Sequence, residues 1–225
     1  MLDDTLAAAV DAIIEAGRHM NRLGWVPATA GNLSLRLPDG RVAITRSGVH
    51  KGFLDPAGIM VVDLQGRAEE VGARPSAETG LHCGIYRRFA DAGAVLHGHS
   101  VAVTVLSRTA GEAIRLAGYE LLKAFPGLAT HEAAVELPVL DNDQDIPRLQ
   151  AEVERRWDRM ADAPPPGYLI RGHGIYVWGA DMPAALTRLE ALEFMLECEL
   201  AAHPRQAAGR GLRGSQAEEA TEDPR

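Results

Sequence analysis

The residues best suited to chemistry are two histidines in Ala94-Val95-Leu96-His97-Gly98-His99-Ser100. Small apolar residues lead into them, as at the end of a buried strand. Successive side chains of an extended chain alternate faces, so His97 and His99 point the same way. Gly98 offers no side chain to the opposite face and lets another segment pack close there. A third histidine lies in Arg171-Gly172-His173-Gly174, between the apolar runs Tyr168-Leu169-Ile170 and Ile175-Tyr176-Val177-Trp178. Three neutral imidazoles with an open fourth position are the ligand set of a catalytic zinc, not a structural one.

Three polar loops are candidates to surround such a cation: Gly31-Asn32 with Ser34, Thr45 to Gly48, and Pro75-Ser76. Backbone N–H groups at glycine turns and at the start of a helix bind phosphate oxygens without much net positive charge. Lys51 or Arg46 could add one cation. Two carboxylates stand out. Glu78 lies in the first turn of the helix expected after Pro75-Ser76, where the dipole favours it, and could instead be a metal ligand or a base. Glu120 sits between Tyr119 and Leu121; burial there would raise its pKa, and a carboxyl near neutrality can take and return a proton. His82 and His131 read as structural or substrate-lining, and His19 and His203 as helix-surface residues.

The elements that must position these groups follow from periodicity. Apolar Leu6, Val10, Ile13, Ile14 and Met20 recur at helical spacing after Asp3 and Asp4, and Gly24 ends that helix. Leu33 to Leu37 alternates as a strand, Asp39-Gly40 is a hairpin turn, and Val42-Ala43-Ile44 returns. Ile59 to Leu64, Gln65-Gly66 and Arg67 to Val71 suggest a second hairpin. A helix capped by Ser76 should run to about Ala90, the His97 strand follows, and a short helix covers Val101 to Ser107. Gly118 to Phe125 fixes no element by itself. Leu137-Pro138-Val139-Leu140 reads as an edge strand, because proline is tolerated there. Asp145 to Ala161 and Met182 to Ala202 are helices, separated by Pro164-Pro165-Pro166-Gly167 and the hairpin of the third histidine. Hairpins interspersed with helices indicate an α/β fold with one central, largely antiparallel or mixed sheet covered by helices.

At 225 residues, 46% hydrophobic and 24% charged, the chain is expected to form a single domain over 1–203. Residues 204–225 lack periodicity and are expected to be a disordered tail. A net charge of -8 argues against a nucleic-acid surface. No apolar run has the length of a membrane span, and Met1-Leu2-Asp3-Asp4 is unlike the basic start of a secretion signal. Cys83 and Cys198, far apart, suit a reducing cytoplasm.

The chain resembles the class II aldolase/adducin family. Gly31-Asn32-Leu33-Ser34, Ile44-Thr45-Arg46-Ser47-Gly48, Pro75-Ser76-Ala77-Glu78, His97-Gly98-His99 and Gly172-His173-Gly174 occur in that family's order, and the likeness runs from Asp4 to His203. Trp25-Val26-Pro27-Ala28-Thr29, Ser47 to Gly52, Gly118 to Phe125 and Gly174 to Gly179 look like the family's dehydratase branch, which acts on a methylthio ketose 1-phosphate in methionine salvage. They do not look like its aldolases or epimerases.

The resemblance implies a three-layer α/β/α fold and a homotetramer with active sites near subunit interfaces. It implies one zinc per subunit on His97, His99 and His173, and phosphate contacts at Gly31, Asn32, Ser47, Gly48 and Ser76. Family aldolases often carry a second serine where this chain has Ala77, so those contacts could be rearranged. The aldolase base falls on Glu78; in the dehydratases the acid/base role falls on the glutamate matching Glu120. The implied reaction removes the C3 proton of a phosphorylated ketose, passes through an enediolate and expels the C4 hydroxyl. The competing expectations are an aldolase or epimerase acting on another ketose phosphate, and a non-catalytic module like the adducin head, which should lack the metal histidines.

Overall fold

The computed structural model describes residues 2–160 and 165–202. The proposed tail at 204–225 and the helix end at Ala161 lie outside them. The first helix, α1 (Leu2–Arg22), buries Ile13 and Met20 and starts early enough to take positions 3 and 4 into its first turn. Then come β1 (Asn32–Arg36), β2 (Val42–Thr45), β3 (Ile59–Val62), α2 (Thr79–Arg88), β4 (Ala94–Gly98) and α3 (Val101–Thr109). The second half holds β5 (Ala113–Ala117), β6 (Ala134–Leu140), α4 (Ile146–Asp158), β7 (Gly167–Ile170), β8 (Gly174–Gly179) and α5 (Met182–Ala202).

The eight strands form one sheet in the order β3-β2-β1-β4-β8-β7-β6-β5, with every pair antiparallel except β6 with β7. Alternation along each strand feeds two apolar layers. Leu33, Leu96, Ile175 and Val177 face α1, α3 and α5, where they meet Ile13, Val103 and Leu189. Val95, Tyr176 and Trp178 face α2 and α4, where they meet Leu81, Ile85 and Trp157. The result is the expected α/β/α sandwich with a mainly antiparallel sheet. Among the described residues no helix is long and apolar enough to cross a membrane.

Four expectations need correction. The return strand at Arg67–Val71 does not form beyond a single bridge from Ala68 to Val62. The Asp63 carboxylate accepts the Gln65 and Arg67 N–H groups at 2.9 Å each and closes a tight turn instead. Ser76 does not cap α2: the capping position belongs to Glu78, and the Ser76 hydroxyl accepts a hydrogen bond from the Asn32 amide. The segment around Pro138 is not an edge, since β6 lies between β7 and β5. Proline is accommodated because parallel pairing with β7 begins only at Val139. The edge on this side is β5, a five-residue strand whose sequence, Ala-Ile-Arg-Leu-Ala, is too short to announce itself. The fourth correction concerns Glu120 and belongs with the site.

Candidate metal centre

The three histidines arrive from two directions. β4 carries His97 on the α2 face of the sheet, fully buried, with its ring stacked on Tyr176 at 4.0 Å. His99 lies just past the strand, and its N–H is fixed to the Trp25 carbonyl at 2.6 Å. As expected, Gly98 admits close packing: a Cβ there would meet the Trp25 carbonyl oxygen at 3.2 Å. His173 sits in the turn between β7 and β8. Arg171 clamps that turn by donating to the carbonyls of Ser107 (2.8 Å), Ala110 (2.7 Å) and Gly111 (3.0 Å) and to Asp141 (2.7 Å). Gly174 is needed beside it, because a Cβ would meet the Gly98 carbonyl oxygen at 2.3 Å and the His97 ring at 2.7 Å.

One ligand atom from each of His97, His99 and His173 lies within 4.8 Å of the others. The Nε2 atoms of His97 and His99 are 2.8 Å apart. His97 Nδ1 donates to the Ile175 carbonyl at 2.9 Å, which leaves the Nε2 lone pair facing the cluster. Burial pushes the His97 pKa down to about 4 and the His99 pKa to about 3, helped at His99 by the neighbouring imidazoles. Neutral imidazoles converging through ring nitrogens, with no sulfur, fit a borderline divalent cation such as zinc.

Glu78 completes the rim. Its carboxylate lies 3.0 Å from His173 Nε2 and 3.4 Å from His97 Nε2, and it accepts from Asn32 Nδ2 at 2.6 Å. Burial works to raise its pKa, yet the attraction of His97 and His173 and the Asn32 hydrogen bond hold it below the usual carboxylate range.

Of the proposed phosphate contacts, Gly31, Asn32 and Ser76 lie against this cluster. Gly31 packs on the His97 carbonyl, where a Cβ would come within 2.6 Å, and Asn32 is the β1 partner of His97. The loop holding Ser47 and Gly48 is drawn towards Ser76 by a bridge between Arg46 and Pro75; Ser47 and Gly48 themselves are exposed. The expected free cations are occupied. Buried Lys51 donates to the Thr29 and Val49 carbonyls at 2.7 Å each, tying two of the loops together, and Arg46 pairs with Glu70. Burial brings the Lys51 pKa down to about 8.

Glu120 is not buried. It opens a 3-10 turn over Glu120–Ala124, its side chain is 69% exposed, and its neighbours are Lys123 and, at 3.4 Å, His131. The Lys123 hydrogen bond and charge hold its pKa below the usual range, the reverse of the shift that burial would give. At three residues per turn the apolar neighbours need not share its face: Leu122 is buried while Glu120 points to solvent.

The family profile of the class II aldolase and adducin N-terminal domain matches residues 11–200. The chain belongs to the class II aldolase/adducin family. A methylthioribulose-1-phosphate dehydratase of Gluconacetobacter diazotrophicus is 61% identical over 198 residues, covering 88% of this chain and 95% of that protein. One from Granulibacter bethesdensis is 59% identical, covering 85% and 91%. Among solved structures, L-fuculose-1-phosphate aldolase of Thermus thermophilus superposes with a TM-score of 0.69 at 27% identity, covering 86% of this chain and 94% of the other. YgbL of Klebsiella pneumoniae, at 24% identity and a TM-score of 0.75, covers 90% and 93% and shares the fold. Class II aldolase membership and the histidine cluster agree with the order of motifs from Gly31 to Gly174.

Sequence reasoning named Ser34 in a polar loop and His82 as structural or substrate-lining, but missed Tyr86, Arg36 and the way all four line up behind Glu78. His82 and Tyr86 follow it at four-residue steps, and Ser34 and Arg36 follow Asn32 at two-residue steps. That pairing of helix and strand periods was the available signal.

Proposed function

We infer that this chain dehydrates 5-methylthioribulose 1-phosphate to 2,3-diketo-5-methylthiopentyl 1-phosphate, a carbon–oxygen lyase step of methionine salvage. The observation that carries the reading is the convergence of His97, His99 and His173 beside Glu78, in a chain 61% identical to a methylthioribulose-1-phosphate dehydratase. In this reading the three imidazoles hold one zinc ion per subunit. Bound there, the ion would supply Lewis acidity at the ketone oxygen and so acidify the C3 hydrogen.

The remaining work falls to the chain's own groups. Glu120 takes the C3 proton and returns a proton to the departing C4 hydroxyl, which leaves as water; the enol then tautomerises to the 2,3-diketone. Its exposure suits a site completed where subunits of a homotetramer meet, in the cytoplasm. Gly31, Asn32, Ser47, Gly48 and Ser76 bind the phosphate, with backbone N–H groups near the start of α2, and so orient carbons remote from it. The Asn32 side chain already donates to Glu78 and Ser76, so its contribution to phosphate is through its backbone. Glu78 assists proton transfer or adds a fourth ligand. Its place 3.0 Å from His173 also favours a second reading, in which Glu78 is itself the base, as in the aldolases.

Metal analysis joined to a dehydration assay on methylthioribulose 1-phosphate tests the assignment. The expected result is one bound divalent ion per chain and a single diketone product. Two carbon fragments would identify an aldolase instead.

A further inference from the structure

β1 and α2 face each other with matched repeats. Every second strand residue advances about 6.6 Å and every fourth helix residue about 6 Å. Residues 32, 34 and 36 of β1 therefore stay level with residues 78, 82 and 86 along α2. Asn32 meets Glu78, Ser34 meets both His82 and Tyr86, and the Arg36 guanidinium donates to the Tyr86 carbonyl and lies 5.0 Å from the centre of its ring.

Five of these residues form one hydrogen-bonded chain whose direction is set at its inner end. A carboxylate only accepts, so Asn32 turns its NH₂ to Glu78 (2.6 Å) and its carbonyl oxygen to His82 Nε2. His82 Nε2 must then carry hydrogen. The ring is fully buried among α2 and the sheet and is neutral, burial having lowered its pKa to about 3. Its one proton is used, so Nδ1 is bare and accepts from the Ser34 hydroxyl at 2.7 Å. Ser34 has then spent its hydrogen, and Tyr86 donates to Ser34 Oγ at 2.8 Å. Every donor in the sequence Tyr86, Ser34, His82, Asn32 points towards Glu78.

We propose that His82 is a positioning residue for the reaction: through Asn32 it fixes the Glu78 carboxylate beside the metal-binding imidazoles, while Ser34 and Tyr86 satisfy its second ring nitrogen. A reversed Asn32 amide would aim a carbonyl oxygen at a carboxylate and leave the His82 N–H facing an NH₂ group, so the Nε2 hydrogen locks the amide. The role at catalysis rests on the function proposed above; the proton order does not.

The test uses the full chain loaded with zinc, unaltered and as His82→Leu and His82→Gln. Glutamine can place an amide N–H near the former Nε2 position, and leucine cannot. The leucine variant should keep its zinc and KM and lose roughly 10- to 100-fold in kcat, the usual scale for residues that orient a group beside a metal, with glutamine restoring most of it. A neutron map of the unaltered protein should show deuterium on His82 Nε2 and none on Nδ1. Wild-type kcat in the leucine variant, equal losses in both variants, or deuterium on Nδ1 would overturn the proposal. If the leucine variant does not fold, the neutron map decides. An unaltered protein inactive on methylthioribulose 1-phosphate removes the functional reading, while the map still judges the proton order.

Discussion

Two glutamates are candidates for the same chemistry and live in opposite surroundings. Glu78 stands at the head of α2 with Asn32, His97 and His173 around it. Glu120 rides a short 3-10 turn at the surface, with Lys123 and His131 for company. The three imidazoles and Glu78 come together within one chain, whereas Glu120 faces outward. A preorganised carboxylate suits holding an ion or orienting a substrate, whereas an exposed one can act on substrate only when something else covers it.

The contrast can be broken most sharply at its histidine end. His97→Ala removes an imidazole whose other nitrogen is pinned to Ile175, so bound metal should fall well below one per chain and dehydration to background; stoichiometric metal in that variant would mean the imidazoles do not hold it. Glu120→Gln should leave metal content and melting temperature unchanged, since the side chain is exposed, and slow turnover by about 10²- to 10⁴-fold. A near-native rate would transfer the proton-moving role to Glu78.

A smaller effect comes from a third glutamate that is buried without such company. Burial in α5, opposed by the Ser100 hydroxyl and assisted by the Glu197 charge, raises the Glu193 carboxyl to about 7 from an ordinary 4.5. Because the folded pKa is the higher one, the folded state holds the proton more tightly between about pH 4.5 and 7. Stability is therefore lost as pH rises through that window, by at most roughly 3 kcal/mol. Glu193→Gln should leave the melting temperature little changed at pH 5 and raise it at pH 8. Parallel melting curves for the two proteins across that range would show that Glu193 is not neutral at low pH.

Much of this was legible from local pattern. Strand parity put His97 and His99 on one side, glycine spacing marked His173, and the ends of β1, β2 and α5 fell within a residue or two of expectation. What escaped depended on partners distant in the chain. Pro138 looked like an edge because nothing local says that β5 covers one flank and β7 pairs only beyond it. Ser76 looked like a cap because its hydroxyl's real partner, Asn32, is 44 residues away. Glu120 looked sheltered because Tyr119, Leu121 and Leu122 are apolar, but a three-residue turn sends those neighbours in different directions.

The Arg171 clamp ties the third imidazole to the far end of α3 and to the strand leading into α4. With a divalent ion on the three imidazoles, coordination would report on a part of the molecule away from them. Any fraying near Ser107 or Gly111 would first be felt as a loosened third ligand, so the rate at which a chelator strips the ion gauges how often that corner opens.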